Sequence, residues 1–345
     1  MKLTQDGGEN STNYQAQGNI TVHTGVSATE VYDITERVVK SNMKDLVNLA
    51  RETVDERINS FAQELGERLA QQPATHSAAL SDPDVQYAIS NAGVAYARRG
   101  TEELSEILLD LVSDRVAAPS ESLIATILND AIEIAPRLTK GERAALVMIW
   151  TFLRTIEPSS TSLEDLIFYH RPILREFGPD LPKREGSYLH LQSMGCISIS
   201  TLGGSSFASL WHQSYPGFFQ SGLSLDHVAN DIKGYWDDPT IFEASPRGEG
   251  LKQVAGGGAS DRYLAQLNIP KPHVQALKVL RDRHLPVTEI VDMVKEANPE
   301  VSYVEDAWEH LGSTSPTGVG IAIGHAVLHQ RFGTAPDLSI WLGEG

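Results

Sequence analysis

The sequence holds a single cysteine, Cys196, among its 345 residues, so no disulfide can form within the chain. A lone cysteine fits a reducing compartment, and we expect a cytoplasmic protein. No apolar stretch is long enough to span a bilayer, and no apolar segment follows Lys2. The sequence therefore predicts neither a membrane span nor a signal peptide.

Positive charge is also scarce. The chain has 28 lysines and arginines against 45 aspartates and glutamates, which gives a formal net charge of −17. Proteins that hold nucleic-acid phosphates without sequence preference use clustered cations. Nucleic-acid binding is therefore disfavoured. Residues 272–311 nevertheless have three short helices that could form a DNA-binding helix-turn-helix. The alternative is that these helices only pack against the rest of the protein.

Residues 13–23 alternate polar and apolar side chains, and a period of two predicts a strand. This segment has neither charge nor proline, which suits the stacking of identical copies with asparagine and glutamine ladders. We therefore predict a β-forming oligomerisation tip over residues 1–26, with an ordinary edge strand or a disordered leader as the alternative. The residues expected to make the contacts between copies are Tyr14, Gln15, Gln17, Gly18, Asn19, Ile20 and Val22.

The rest of the chain shows mainly the 3.6-residue periodicity of amphipathic helices. Capping boxes occur at residues 27–30 and 139–142, and Asp82 with Pro83 begins a helix that Gly100 ends. Further helices are predicted near 28–71, 104–118, 123–135, 144–152, 163–177, 272–284, 287–297, 303–311 and 317–331. The predicted fold class is thus mainly α: a helical bundle over 27–177, then a Gly/Ser-rich segment and a mixed, mostly helical domain over 178–345. Residues 194–200 and 338–342 resemble short strands.

Two histidines, His325 and His329, are four residues apart and could reach one metal from the same helix face. His310 or Asp337 would have to supply a third ligand, and surface or packing histidines are the alternative. The glycines of residues 318–324 superficially match a dinucleotide fingerprint, but the required strand and βαβ context are missing. We expect Gly320 and Gly324 to permit close helix contact instead, and the sequence predicts no cofactor and no metal.

Cys196 invites interpretation as a nucleophile, with His190 or His212 as its base, but its apolar neighbours favour a small core residue. A broader enzymatic alternative is a hydrolase or nuclease site within residues 186–260. This region contains side chains from which such a site could be built. They are His190, His212, His227, Asp231, Asp237 and Asp238.

Residues 13–20 resemble the Gln/Gly/Asn/Ile core of amyloid-signalling motifs, the RHIM-like segments that nucleate immune assemblies. Separately, the chain is similar to a bacterial protein family associated with anti-phage defence loci. The stretches that carry this similarity are 17–20, 25–31, 82–87, 317–323 and 338–341. The resemblance implies a defence role and brings no catalytic residues.

Together, these features favour a non-enzymatic sensor or scaffold in bacterial antiviral defence that self-assembles through its N-terminal strand. Its expected partners are other copies of itself and a second defence protein or a phage component. An effector enzyme with a site in residues 186–260, or a partner-binding subunit with no activity of its own, are the alternatives.

Overall fold

The computed structural model describes residues 50–70, 79–157, 160, 162–200, 206–256, 260–333 and 337–342. The chain divides into two compact units, Met1–Glu56 and Arg57–Gly345. In the first unit the described residues, 50–56, are helical. The predicted oligomerisation tip, with all seven of its contact residues, lies outside the described residues and stays a prediction.

The second unit is mainly α-helical, as the sequence predicts. Its helices are α1 (residues 57–70), α2 (Pro83–Arg99), α3 (Glu102–Ala117), α4 (Leu123–Ile134), α5 (Lys140–Leu153), α6 (Leu163–Phe177), α7 (Glu185–Ser193), α8 (Phe207–Ser214), α9 (Ser260–Gln266), α10 (Lys271–Arg281), α11 (Val287–Ala297), α12 (Val301–Leu311), α13 (Gly318–Phe332) and α14 (Leu338–Leu342).

Local capping signals fix several of these helix ends. The Asp82 side chain accepts from the backbone N–H of Asp84 at the start of α2, and Gly100 ends that helix with a φ of 65°, a conformation that favours glycine. At the start of α5, Thr139 and Glu142 form the predicted capping box. Each cap satisfies backbone groups that a helix end leaves open, so these boundaries could be predicted from sequence.

In the described part of the chain, four short strands form two antiparallel pairs. Strand β1 (Ile197–Ile199) pairs with β4 (Thr314–Pro316), with Ser198 opposite Ser315. Strand β2 (Phe242–Ala244) pairs with β3 (Lys252–Val254). The strand-like run at 194–200 is thereby confirmed, and its partner comes from just before α13.

Helix α13 is central to the main hydrophobic core, packing against α3, α4 and α5. The glycines of α13 allow this contact, because added Cβ atoms at Gly320 and Gly324 would meet Leu146 of α5. The predicted role of these two glycines is confirmed.

The sequence predicts a domain boundary between residues 177 and 178, and this boundary stays a prediction. The contacts of α13 with α3 and α5 join residues on opposite sides of it. A second, smaller core has buried side chains between Leu223 and Leu280.

Two local predictions are wrong. Residues 338–342 form α14 rather than a strand, because the carboxylate of Asp337 accepts from the Ser339 backbone N–H and caps the start of a helix while Leu338 is buried in the main core. The Gly/Ser-rich segment, for which only a strand was expected, contains α7 and α8. Burial of Tyr188, Leu191, Phe207 and Trp211 in the core outweighs its loop-like composition.

No helix in the described part of the chain combines the length and the apolar character that crossing a membrane requires.

Candidate functional site

A groove lined by both polar and apolar side chains lies between α3 and α13, and the segment around Asp337 and the end of α1 contribute to its wall. Its volume is about 910 Å³, which suits a small-molecule site. We call it the Asp/His groove and define it by its lining residues. They are Arg68, Glu106, Asp110, Ser113, Asp114, Ala117, Ala118, Pro119, Ile124, His325, His329, Gln330, Gly333, Asp337, Leu338 and Ser339.

Helical spacing explains why acids and imidazoles face each other in this groove. Glu106, Asp110 and Asp114 follow one another at intervals of four on α3, and His325 and His329 do so on α13. Residues at i and i+4 share one face of a helix. Since α3 and α13 pack together, the acidic face of the first meets the imidazole face of the second.

Both carboxylate oxygens of Asp110 make contacts in the groove. Its Oδ2 lies 2.9 Å from Nδ1 of His329, and its Oδ1 accepts from the guanidinium of Arg68. The same guanidinium also pairs with Glu106. The side chain of Asp110 is 9% exposed, so these contacts replace the water that burial removes. Arg68 thus bridges two carboxylates that are one helical turn apart.

Asp114 makes a weaker contact with its histidine than Asp110 does. Its Oδ2 is 3.9 Å from Nδ1 of His325, which is too long for a hydrogen bond. Loss of hydration in the groove, together with the nearby charges of Asp110 and Asp337, raises the pKa of Asp114 to about 7, while His329 opposes the rise. Asp114 therefore exchanges a proton near neutral pH, a property that is common among functional carboxyl groups.

Asp337 also lies in the groove, and its pKa is lowered, whereas that of Asp114 is raised. Hydrogen bonds from the Ser339 hydroxyl and backbone N–H, with a smaller contribution from His325, lower the pKa of Asp337. The groove thus presents one carboxyl group that titrates near neutrality and one that stays ionised. Such a pair can exchange protons or bind a cation.

We expect Asp114→Asn to stabilise the protein at pH 8 and to lose this advantage as the pH falls. Folding raises the pKa of Asp114 from 3.8 to about 7. The wild-type protein therefore gains stability as the pH falls through 7 towards 4, because the folded state holds the proton more tightly. The neutral amide gains nothing over that range.

Thermal unfolding followed by circular dichroism checks this prediction. We expect the midpoint of Asp114→Asn to exceed that of wild type by about 1–2 °C at pH 8, with a difference that shrinks steadily down to pH 5. Asp292→Asn, an exposed change on α11, is the control and should show no such trend. An Asp114→Asn difference that is the same at both pH values would contradict the assigned pKa.

His325 and His329, for which a metal site was one of two interpretations, do share a helix face, but each is directed to a different carboxylate. Their rings lie parallel, with centroids 6.4 Å apart. Asp337 joins them in the groove, whereas His310 packs against Tyr188. Within the described ranges, no group of three or more His, Cys, Asp or Glu side chains is placed to hold a metal ion.

Cys196 is a core residue, which confirms the packing interpretation. Its side chain is buried, and burial raises the pKa of its thiol to about 12, so the thiolate needed for nucleophilic attack is scarce at neutral pH. His190 instead lies 2.7 Å from Oε1 of Glu142. His212 packs edge-on against His284, with ring centroids 3.7 Å apart.

The other candidates of the enzymatic alternative in residues 186–260 also take part in local contacts. His227 accepts from the Ser224 backbone at 3.1 Å in a short turn. Asp237 pairs with Lys252 at 3.3 Å, and Asp238 accepts from Thr240. Asp231 is exposed. The contacts that the structure records for His227, Asp237 and Asp238 do not join these side chains to one another.

Sequence reasoning identified His325, His329 and Asp337 but missed the partners on α3. A signal was present, because Glu106, Asp110 and Asp114 form an acidic stripe at intervals of four on a helix that is otherwise rich in leucine. An acidic stripe usually marks a solvated face. Only the packing of α13 against α3 shows that this stripe borders a groove.

A protein-family model with the description ":-like" matches residues 25–342. Because this match covers most of the chain, the protein belongs to that family. The description names no activity, ligand or partner. No curated protein matches the chain, and no solved structure matches it.

Proposed function

We propose that this protein is a non-enzymatic sensor or scaffold in bacterial antiviral defence, in which the Asp/His groove receives a signal and residues 13–23 join copies of the chain. The observation that carries the sensing part is the groove itself. Its walls are packed helices, its volume is about 910 Å³, and its charge depends on the proton of Asp114. A bound ligand could change that charge and so bias the protein between two states.

The assembly part is supported by the sequence of residues 13–23, and the defence role by the resemblances to amyloid-signalling segments and to a defence-associated family. A non-enzymatic function agrees with the local contacts of the predicted catalytic candidates. Cys196, for example, is buried with a raised thiol pKa, and His190 pairs with Glu142.

Mass photometry of four forms of the protein tests the assembly. We expect full-length protein to form particles larger than a monomer, while Ile20→Lys and a chain beginning at Ser27 remain monomeric. A lysine in the apolar face would place like charges next to each other in stacked copies, which is unfavourable. Ile20→Val keeps an apolar, β-favouring side chain and should assemble like wild type.

Far-ultraviolet circular dichroism should show that Ile20→Lys keeps the helical content of the wild type. If Ile20→Lys and the shortened chain assemble as the full-length protein does, the proposal for residues 13–23 is wrong.

A second candidate function is acid–base catalysis in the same groove; the enzymatic site that the sequence places within residues 186–260 stays a separate prediction. The observation that favours it is the opposite shift in pKa of Asp114 and Asp337, since such pairs supply an acid and a base at one pH. p-Nitrophenyl acetate and p-nitrophenyl phosphate are suitable probes. Turnover that is lost in Asp114→Asn would support catalysis, and turnover that is unchanged in that variant would exclude Asp114 as its acid or base.

A further inference from the structure

We infer that another cavity, between α2 and the C-terminal end of α4, binds a phosphate monoester with an aromatic, amine-bearing body, the chemistry of a nucleoside monophosphate. We call this cavity the arginine groove, because Arg98, Arg99 and Arg137 line it together with Tyr87 and Glu133. Its volume is about 280 Å³, close to the lower end of the range for ligand pockets. It shares no lining residue with the Asp/His groove, so this site does not depend on the proposed function.

Contacts between α2 and α4 show how the arginine groove is built. Asn129 donates to Asp84 at 2.7 Å near the start of α2, and Tyr87 donates to Glu133 at 3.4 Å further along. These contacts advance along both helices in the same direction. The turn after Glu133 therefore carries Arg137 towards the end of α2, where two more arginines lie. Three guanidinium groups from two different elements thus line one cavity.

The three arginines of the groove have no carboxylate partner. All three are exposed, and among the described residues their guanidinium groups make no hydrogen bond or ion pair. By contrast, Arg143 and Arg331, which line a different cavity, each pair with a glutamate. The dipole of α2 favours the two arginines in its last turn, but it does not account for Arg137. The positive charge of this cluster is therefore available to an external anion.

Charge balance selects the kind of anion. Three guanidinium groups and the carboxylate of Glu133 leave the groove with two net positive charges, in a chain whose own net charge is −17. A phosphate monoester carries nearly two negative charges at neutral pH, whereas a carboxylate carries one. Guanidinium groups also bind phosphate oxygens through paired hydrogen bonds. A phosphate between the three arginines therefore matches both the charge and the donors of the groove.

The other end of the groove suits an aromatic body. Tyr87 is 58% exposed and Val94 is 54% exposed, and aromatic side chains stack well on nucleobases. Oε1 of Glu133 has the contacts recorded with Tyr87 and Asn91, at 3.4 and 3.5 Å, so Oε2 can accept from an amine of the ligand. Tyr87 and Arg98 are about three helical turns apart on α2. An occupant that contacts both must therefore be elongated, with an anionic end and an aromatic end.

Isothermal titration calorimetry of the full-length protein with adenosine monophosphate, adenosine and inorganic phosphate tests this ligand class. We expect adenosine monophosphate to bind, and the other two to bind at least about 10-fold more weakly, because each lacks one end of the ligand. Arg98→Gln and Arg137→Gln should each weaken binding of the monophosphate about 10-fold. Arg262→Gln, an exposed change outside the groove, should bind as wild type does.

A matched pair of substitutions at Tyr87 tests the aromatic end. Tyr87→Ala should weaken binding of adenosine monophosphate about 10-fold, since it removes the ring on which the base stacks. Tyr87→Phe keeps the ring and loses only a long contact with Glu133, so its affinity should stay within about twofold of wild type. The substituted side chains are exposed, so all of these variants should fold, which circular dichroism checks.

The inference is wrong if adenosine monophosphate does not bind, or if it binds equally well to wild type and to both groove arginine variants. Adenosine binding as tight as that of the monophosphate would show that the arginines do not hold a phosphate. Equally tight binding of inorganic phosphate would show that the aromatic body is not recognised, and either result contradicts the proposed ligand. If a phosphotyrosine peptide binds while adenosine monophosphate does not, the groove serves a protein partner and the small-molecule ligand is wrong.

Discussion

Replacing Gly320 by alanine is expected to lower the free energy of unfolding by about 3 kcal/mol. A Cβ at this position would overlap the carbonyl oxygen of Cys196 and lie 2.9 Å from its carbonyl carbon. That carbonyl also accepts the backbone N–H of Thr317 at 3.0 Å, which fixes the start of α13 beside β1. The methyl group must therefore displace the backbone of Cys196 or of α13. Urea unfolding followed by circular dichroism should show the lower free energy of unfolding.

Gly324→Ala is the matched control, one turn further along α13. Its nearest neighbours are backbone atoms of Leu146 at 3.4 Å, which is ordinary van der Waals contact. Alanine is also favoured over glycine inside a helix by about 1 kcal/mol. We expect a net change within about 1 kcal/mol. Equal destabilisation by the two substitutions would show that the contact with Cys196 does not govern this packing.

Glu142→Ala is expected to destabilise the protein by about 2–3 kcal/mol, because this carboxylate has two structural roles. It accepts the backbone N–H of Thr139 at 2.8 Å and closes the capping box of α5. Its other oxygen lies 2.7 Å from Nδ1 of His190 on α7. Only 3% of Glu142 is exposed, so water cannot replace the lost acceptor.

Asp165→Ala removes the equivalent residue from the capping box of α6 and serves as its control. Asp165 is exposed, so water can take over part of its role, and the expected loss is about 1 kcal/mol. Urea unfolding of both variants measures the difference. If Glu142→Ala costs no more than Asp165→Ala, the contact with His190 contributes nothing to stability.

The helices were the most predictable feature of this protein. Local signals fixed the ends of several, such as Asp82 and Gly100 around α2 and the capping box at the start of α5. These signals act between residues that are close in sequence, so they can be read without knowing the fold. Residues 338–342 were predicted wrongly, because a short and mostly apolar run is compatible with either a strand or a short helix.

The candidate site was predicted only in part. The i, i+4 spacing of His325 and His329 marked one wall, and Asp337 was named as a possible neighbour. The opposite wall, with Asp110 and Asp114, is more than 200 residues away in sequence, and its acidic stripe on α3 resembles any solvated helix face. The contact between His329 and Asp110 exists only because α13 packs against α3.

The sequence by itself determined the mainly α fold, most of the helix boundaries and the role of the small residues in α13, because periodicity, capping and side-chain size act locally. The tertiary structure decided which helices meet. It paired the acids of α3 with the imidazoles of α13, and it buried Cys196 in the core. It also raised the pKa of Asp114, because hydration and the charges of Asp110 and Asp337 depend on distances that only the folded chain sets.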